Sequence, residues 1–243
     1  MGQPIKKTDL KTPWAKRALS TAKEAKFAEF KKILVVTQDS ASSRFYFTEW
    51  KSRLHGASTY VDVIPSVKAP LQLVSALRSQ RKEVEGRIAR AKNLSKFVFD
   101  EVWVAFDRDS FDDFDNAVYM LRAMSDEGYR EAWSNECFEL WYLLHWCRPS
   151  EDVPIPRKDL FGRCSTHFKT DDYCAKKGDA DVHRLMANCS IDEVKNAIDN
   201  ANLLEGLVAQ KYGPNAQPSC LNPMTKVSHL IQKFVQAQLE GGA

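Results

Sequence analysis

The chain has 243 residues, 44% of them hydrophobic, and a formal net charge of +3; this is enough length for a substantial core and too little charge to identify a partner. Its six cysteines, Cys137, Cys147, Cys164, Cys174, Cys189 and Cys220, lack CxxC or His-paired zinc spacing, and nothing resembles a secretory leader. They are read as reduced thiols in a cytoplasmic protein. The longest apolar runs, around Ile33 to Val36 and Phe138 to Trp146, are too short to cross a bilayer, so no membrane partner is expected.

Lysine is dense from Lys6 to Lys32, and residues 1–30 are expected to form a basic helical segment ahead of the core. Lys32 to Thr37 is a short β-branched run closed by small polar residues, which predicts a buried parallel strand entering a loop. Phe45 to Leu54 has helical spacing with a stop signal at His55-Gly56. Thr59 to Ile64 reads as a second strand, and Pro70 opens a helix carrying Leu71, Val74, Leu77, Val84 and Ile88. That helix bears a basic run from Arg78 through Arg81, Lys82, Arg87, Arg90 and Lys92 to Lys96. Interspersed Glu83 and Glu85 make a solvated helix face the plainer reading; a footprint for a nucleic-acid backbone, on Arg81, Lys82, Arg87 and Arg90, is the functional one.

Glu101 to Phe106 predicts a third strand and Asp115 to Met124 a helix. Glu131 to Ser134 reads as a short edge strand, followed by an apolar helix from about Cys137 to Trp146. Pro154 and Pro156 then mark a connection, and Ile191 to Val208 and Met224 to Leu239 look helical. Strands alternating with helices imply a parallel sheet. The expected division is 31–150 as an α/β core and 151–243 as a mainly helical portion packed on it.

In an open parallel sheet the ligand crevice lies beyond the carboxyl ends of the strands, so polar residues there come first. Val104-Ala105-Phe106 runs into Asp107-Arg108-Asp109. In extended backbone two carboxylates two residues apart point the same way, which suits Mg²⁺; capping or pairing with a cation is the structural alternative. Gln38 and Asp39 end the first strand; Asp39 is read as a cap unless it ligates metal. Asn135 and Glu139, four apart, are expected on one helical face, with Glu139 in greasy surroundings and in need of a cation or metal as partner. His145 falls on another face and is read as a hydrogen-bonded core residue. There is no glycine-rich phosphate loop.

Together Phe106-Asp107-Arg108-Asp109-Ser110-Phe111, Ser134-Asn135-Glu136-Cys137-Phe138-Glu139-Leu140-Trp141 and Asn222-Pro223-Met224-Thr225-Lys226-Val227 resemble the RloB family, over roughly Ile33 to Val235. The resemblance implies a Toprim-like (Rossmann-like) parallel-sheet core and Mg²⁺, with Mn²⁺ able to replace it, for phosphodiester chemistry. It also implies a nuclease effector of bacterial anti-phage defence, beside an ABC- or AAA-type ATPase, acting on DNA or RNA, transfer RNA included. Carried over, Asp107 and Asp109 are metal ligands, and Asn135 and Glu139 line the same site. Where the family has a first-strand glutamate this chain has Gln38, which cannot take a proton. Three alternatives stay open: Asp39 substitutes, Glu139 supplies the missing carboxylate, or the site has lost activity. The favoured reading is a site working through Asp107, Asp109 and Glu139. Its competitor is a noncatalytic module that docks to an ATPase, supported by Gln38 and by Phe45, Tyr46 and Phe47 if they are exposed.

Overall fold

The computed structural model describes residues 30–55, 57–150, 153–176 and 189–241; the expected basic segment at 1–30 lies outside them apart from Phe30. Four parallel strands, β1 (Lys31–Thr37), β2 (Thr59–Pro65), β3 (Glu101–Ala105) and β4 (Tyr129–Glu131), form one sheet in the order β2-β1-β3-β4. The central strand β1 buries Ile33, Leu34, Val35 and Val36 completely or nearly so. A continuous apolar run is what a strand covered on both faces requires. The covering helices are α1 (Ser42–Arg53), α2 (Pro70–Lys92) and α3 (Phe114–Ala123). The whole is a Rossmann-like α/β core, as the alternation in the sequence predicts.

Local chemistry explains the element ends. Pro70 stands at the start of α2, where its missing N–H costs nothing, and Asn93 closes that helix in the left-handed conformation. Gly128 turns the chain into β4 at φ +87°, and a Cβ there would sit 2.7 Å from the Asp100 carbonyl oxygen, so only glycine fits.

After β4 the chain departs from the sequence reading in three places. The apolar helix is short, α4 (Glu139–Leu143), and Ser134–Asn135 ahead of it is a strand, β5, pairing antiparallel with β6 (Met224–Thr225). Asn135 and Glu139 therefore share no helical face. Met224 likewise opens a strand, not the last helix, which is α8 (Val227–Gly241). Pro156 precedes a further helix, α5 (Arg157–His167), followed by α6 (Tyr173–Lys176). Between them and α8 runs α7 (Ile191–Tyr212), opened by a reciprocal Ser190–Glu193 capping box.

One buried apolar cluster extends from Ile33 to Ala237, so the C-terminal helices share the core of the sheet. At its centre Tyr46 and Phe47 of α1 meet Phe138, with ring centroids 5.7 Å apart in both cases. Tyr46 is 2% and Phe47 0% exposed. This corrects the expectation of an exposed aromatic patch, because helical periodicity turns both residues inward and leaves Phe45 half-buried at the margin. Among the described residues no helix is long and apolar enough to cross a membrane. Phe47→Ala should cost about 3–5 kcal/mol, as for large aromatic truncations in a core, and Phe45→Ala no more than about 1 kcal/mol; denaturant unfolding of the two variants measures the difference.

Candidate acidic site at the switch point of the sheet

From β1 the chain crosses to β2 on one side and returns to β3 on the other. The gap between the carboxyl ends of β1 and β3 is therefore where an open α/β sheet offers a ligand crevice. Gln38 and Asp107 meet there. The Gln38 N–H donates to the Ala105 carbonyl at 2.8 Å, and the Asp107 N–H donates to Gln38 Oε1 at 2.8 Å. The amide side chain of Gln38 thus pins the backbone of the first aspartate.

Beyond β3 the chain continues in register with Ser134, whose N–H donates to the Phe106 carbonyl at 3.0 Å and whose carbonyl accepts from Arg108 N–H at 2.9 Å. It then turns sharply at Asp109, which lies at φ +43°, a left-handed conformation that aspartate tolerates. The strand alternation used to align Asp107 and Asp109 does not extend to the second residue. A turn, not a pleat, brings Asp109 to the crevice. Both carboxylates nevertheless line one depression of about 460 Å³, with Gln38, Asp39, Lys68, Phe111 and Arg157.

Asp39 is a cap. Its Oδ1 accepts from Ala41 N–H at 2.9 Å and its Oδ2 from Ser43 N–H at 3.2 Å and Ser43 Oγ at 2.9 Å, which fixes the entry to α1. Glu139 is 0% exposed and lies beneath the crevice, not on its wall. Its Oε1 accepts from Ser42 Oγ at 2.8 Å and from Tyr173 Oη at 3.0 Å, so two hydroxyls are among the partners that its burial requires. Asn135 faces away: its Nδ2 donates to the carbonyls of Pro218 at 3.1 Å and Ser219 at 2.9 Å. His145 is a core residue, its Nδ1 3.0 Å from the Trp141 carbonyl, and burial lowers its pKa to about 4. Buried Cys137 and Cys164 are pushed up by burial first and by Glu139 next, so neither is a poised nucleophile.

The basic run on α2 is remote from all this. At about 1.5 Å per residue, Arg81 lies roughly 17 Å and Arg90 roughly 30 Å along the helix from Pro70 at its crevice end. Arg81 is also engaged, donating to Glu85 and to the carbonyls of Glu127 and Phe99. Arg87 reaches Asp62 at 3.4 Å, and Lys82 is exposed.

Two residues that the sequence reading passed over complete the site. Arg157, at the start of α5, places Nη1 2.7 Å from Asp109 Oδ1. Its backbone is held by Glu136 Oε2, which accepts from Arg157 N–H at 2.8 Å, and by Asn222, which clasps Ile155 through both its amide atoms at 2.9 and 3.3 Å. Tyr173 is the other. The Pro154-x-Pro156 signal marked the start of α5, but nothing in the sequence says that its first residue points back at Asp109.

Electrostatically the crevice carries an excess of negative charge. Burial first, then Asp109, Glu139 and Asp39, push the Asp107 carboxyl well above the usual carboxylate range, and Arg157 pulls it only partly back. Burial works against the charge of Arg157, yet Asp109, Asp107 and Glu139 outweigh it and hold the guanidinium proton more firmly. Among the described residues no three His, Cys, Asp or Glu side chains stand together as a metal cage. Mg²⁺ asks for less: one or two carboxylates, with water and substrate oxygens making up the rest. An all-oxygen donor pair, Asp107 and Asp109, in a pocket short of positive charge fits that ion and Mn²⁺.

A family model described as RloB-like protein matches residues 33–234. No curated protein and no solved structure was found to match.

Because the folded Asp107 carboxyl is raised above its unfolded value, folding takes up a proton, and stability falls as pH rises from the ordinary carboxylate range through that raised value. Asp107→Asn should therefore stabilise the metal-free protein at neutral pH, on the order of 1 kcal/mol or about 2–4 °C for a chain of this size. Thermal melts in chelator across the acidic-to-neutral range check it, the gain shrinking as the pH is lowered.

Proposed function

The chain belongs to the RloB-like family, and on that footing we propose that its acidic crevice is a Mg²⁺-dependent site for hydrolysing nucleic-acid phosphodiesters. The observation that supports this is the unbalanced charge around Asp107, where three neighbouring carboxylates raise the cost of ionisation and one arginine offsets it incompletely. Such a site gains most from a bound cation. The family resemblance adds the setting: an effector in a bacterial anti-phage system, in the cytoplasm, beside an ABC- or AAA-type ATPase.

Asp107 and Asp109 would hold the ion, which when bound supplies positive charge to a phosphoryl oxygen and acidifies water. The remaining work belongs to side chains already in place. Gln38 fixes Asp107 through its backbone N–H. Glu139 and Asp39 deepen the negative field from beside the pair: Glu139 lies beneath the crevice with Oε1 held by two hydroxyls, and both oxygens of Asp39 are engaged at the α1 cap. Lys68, exposed on the rim, draws the phosphate backbone inward. Asp107 must give up its proton to become a ligand, so metal affinity rises with pH through its raised range. Gln38 takes no proton, which leaves the position of the family glutamate without a base.

Cleavage of plasmid DNA and of total transfer RNA in Mg²⁺ or Mn²⁺ tests the reading. Asp107→Ala should lower the rate by about 100-fold or more, beyond the 10–100-fold typical of losing an outer-shell group. Gln38→Glu keeps the acceptor for Asp107 N–H and adds a carboxylate, so it should tighten metal binding several-fold and raise cleavage. Cleavage unchanged in Asp107→Ala would overturn the proposal.

A further inference from the structure

The ion pair between Arg157 and Asp109 occupies one of the two carboxylates just assigned to the cation. Its Nη1–Oδ1 distance of 2.7 Å makes it a close ion pair. The Nε of the same guanidinium is buried without a hydrogen-bond partner. The backbone of Arg157 is fixed at Glu136 and through the Asn222 clasp on Ile155, so the side chain alone has somewhere to move.

A second seat exists. Phe161, one turn further along α5, holds its ring centroid 5.4 Å from the Arg157 guanidinium carbon, within the range of cation–π attraction. On that side lies a groove of about 530 Å³ lined by Arg157, Lys158, Phe161 and Gly162. Gly162 leaves it open, with no atom within 4 Å of where a Cβ would stand. The guanidinium therefore sits between two attractions, a carboxylate on one side and an aromatic face on the other.

We propose that Arg157 is the resident counter-ion of the crevice: it neutralises Asp109 when no metal is bound, and it yields Asp109 by drawing back over Phe161 when a divalent cation is taken up. The inference rests on the metal reading above and adds regulation to it. Two positive charges do not share one carboxylate in a half-buried pocket without strong repulsion, so the ion pair sets the metal affinity. It also keeps the site quiet at low metal.

The test is calorimetric titration of Mn²⁺ into the wild type, Arg157→Gln, Arg157→Lys, Phe161→Leu and Asp107→Ala, with far-UV circular dichroism as a folding control. Arg157→Gln should bind Mn²⁺ about tenfold more tightly, and Arg157→Lys, which keeps the charge, should stay near the wild type. Phe161→Leu removes the second seat and should weaken binding several-fold; should Arg157→Gln fail to fold, this variant decides alone, unchanged affinity overturning the inference. Equal or weaker Mn²⁺ binding by folded Arg157→Gln overturns it as well, and if Asp107→Ala still abolishes binding, the metal reading survives that failure. No Mn²⁺ binding by any of the proteins, wild type included, removes both.

Discussion

Everything that meets in the crevice hangs on the backbone of Ser134. Its N–H and carbonyl extend the pairing of β3 to Phe106 and Arg108, and its hydroxyl lies 2.8 Å from Thr225 Oγ1 across β5 and β6. One residue therefore joins the end of the parallel sheet to a segment ninety positions later in the chain. On one side of that junction the chain is free to turn into Asp109. On the other, the residues before β6 reach Ile155 through Asn222 and so set the angle at which α5 begins. Buried backbone groups must find partners, and here the requirement is met in a way that also brings the three sequence motifs together.

The core beneath is built for the same end. Tyr173 and Ser42, 131 residues apart in the chain, converge on the Glu139 carboxylate, and their oxygens stand 3.3 Å apart. A carboxylate at zero exposure would be costly alone; two hydroxyl donors satisfy one of its oxygens while leaving its charge to act on Asp107. The effect is a field without a ligand: Glu139 shapes the crevice from below while Gln38, at the rim, supplies position without charge.

What the sequence made legible was whatever depends on local pattern. The β-branched run of β1, the Pro70 start of α2 and the strand leading into Asp107 all came from periodicity and turn chemistry, and with them the Rossmann-like sheet and the location of the crevice. Asp39 as a cap and His145 as a core residue were legible too, since both roles are set within a few residues. The errors share another cause. Asn135 and Glu139 are four apart, but β6 holds Ser134–Asn135 extended, and no helix face survives a strand partner supplied from residue 224 onward. Tyr46 and Phe47 read as surface residues beside polar neighbours because the rings that cover them, Phe138, Trp141 and Tyr142, come from ninety residues further on. Arg157 was illegible because its role depends on the direction of a helix whose start is set by Glu136 and Asn222.

The Asn222 clasp also orders events in time. A chain emerging from the ribosome presents β1, β3 and both crevice aspartates well before α5, and α5 before the residues that fix its starting angle. Without the Asn222 clasp on Ile155, the start of α5 that carries Arg157 lacks one of its two anchors. A residue made 67 positions after Ile155 thus finishes the site, so a chain cut short of Asn222 would carry the acidic motif without the clasp that sets the start of α5.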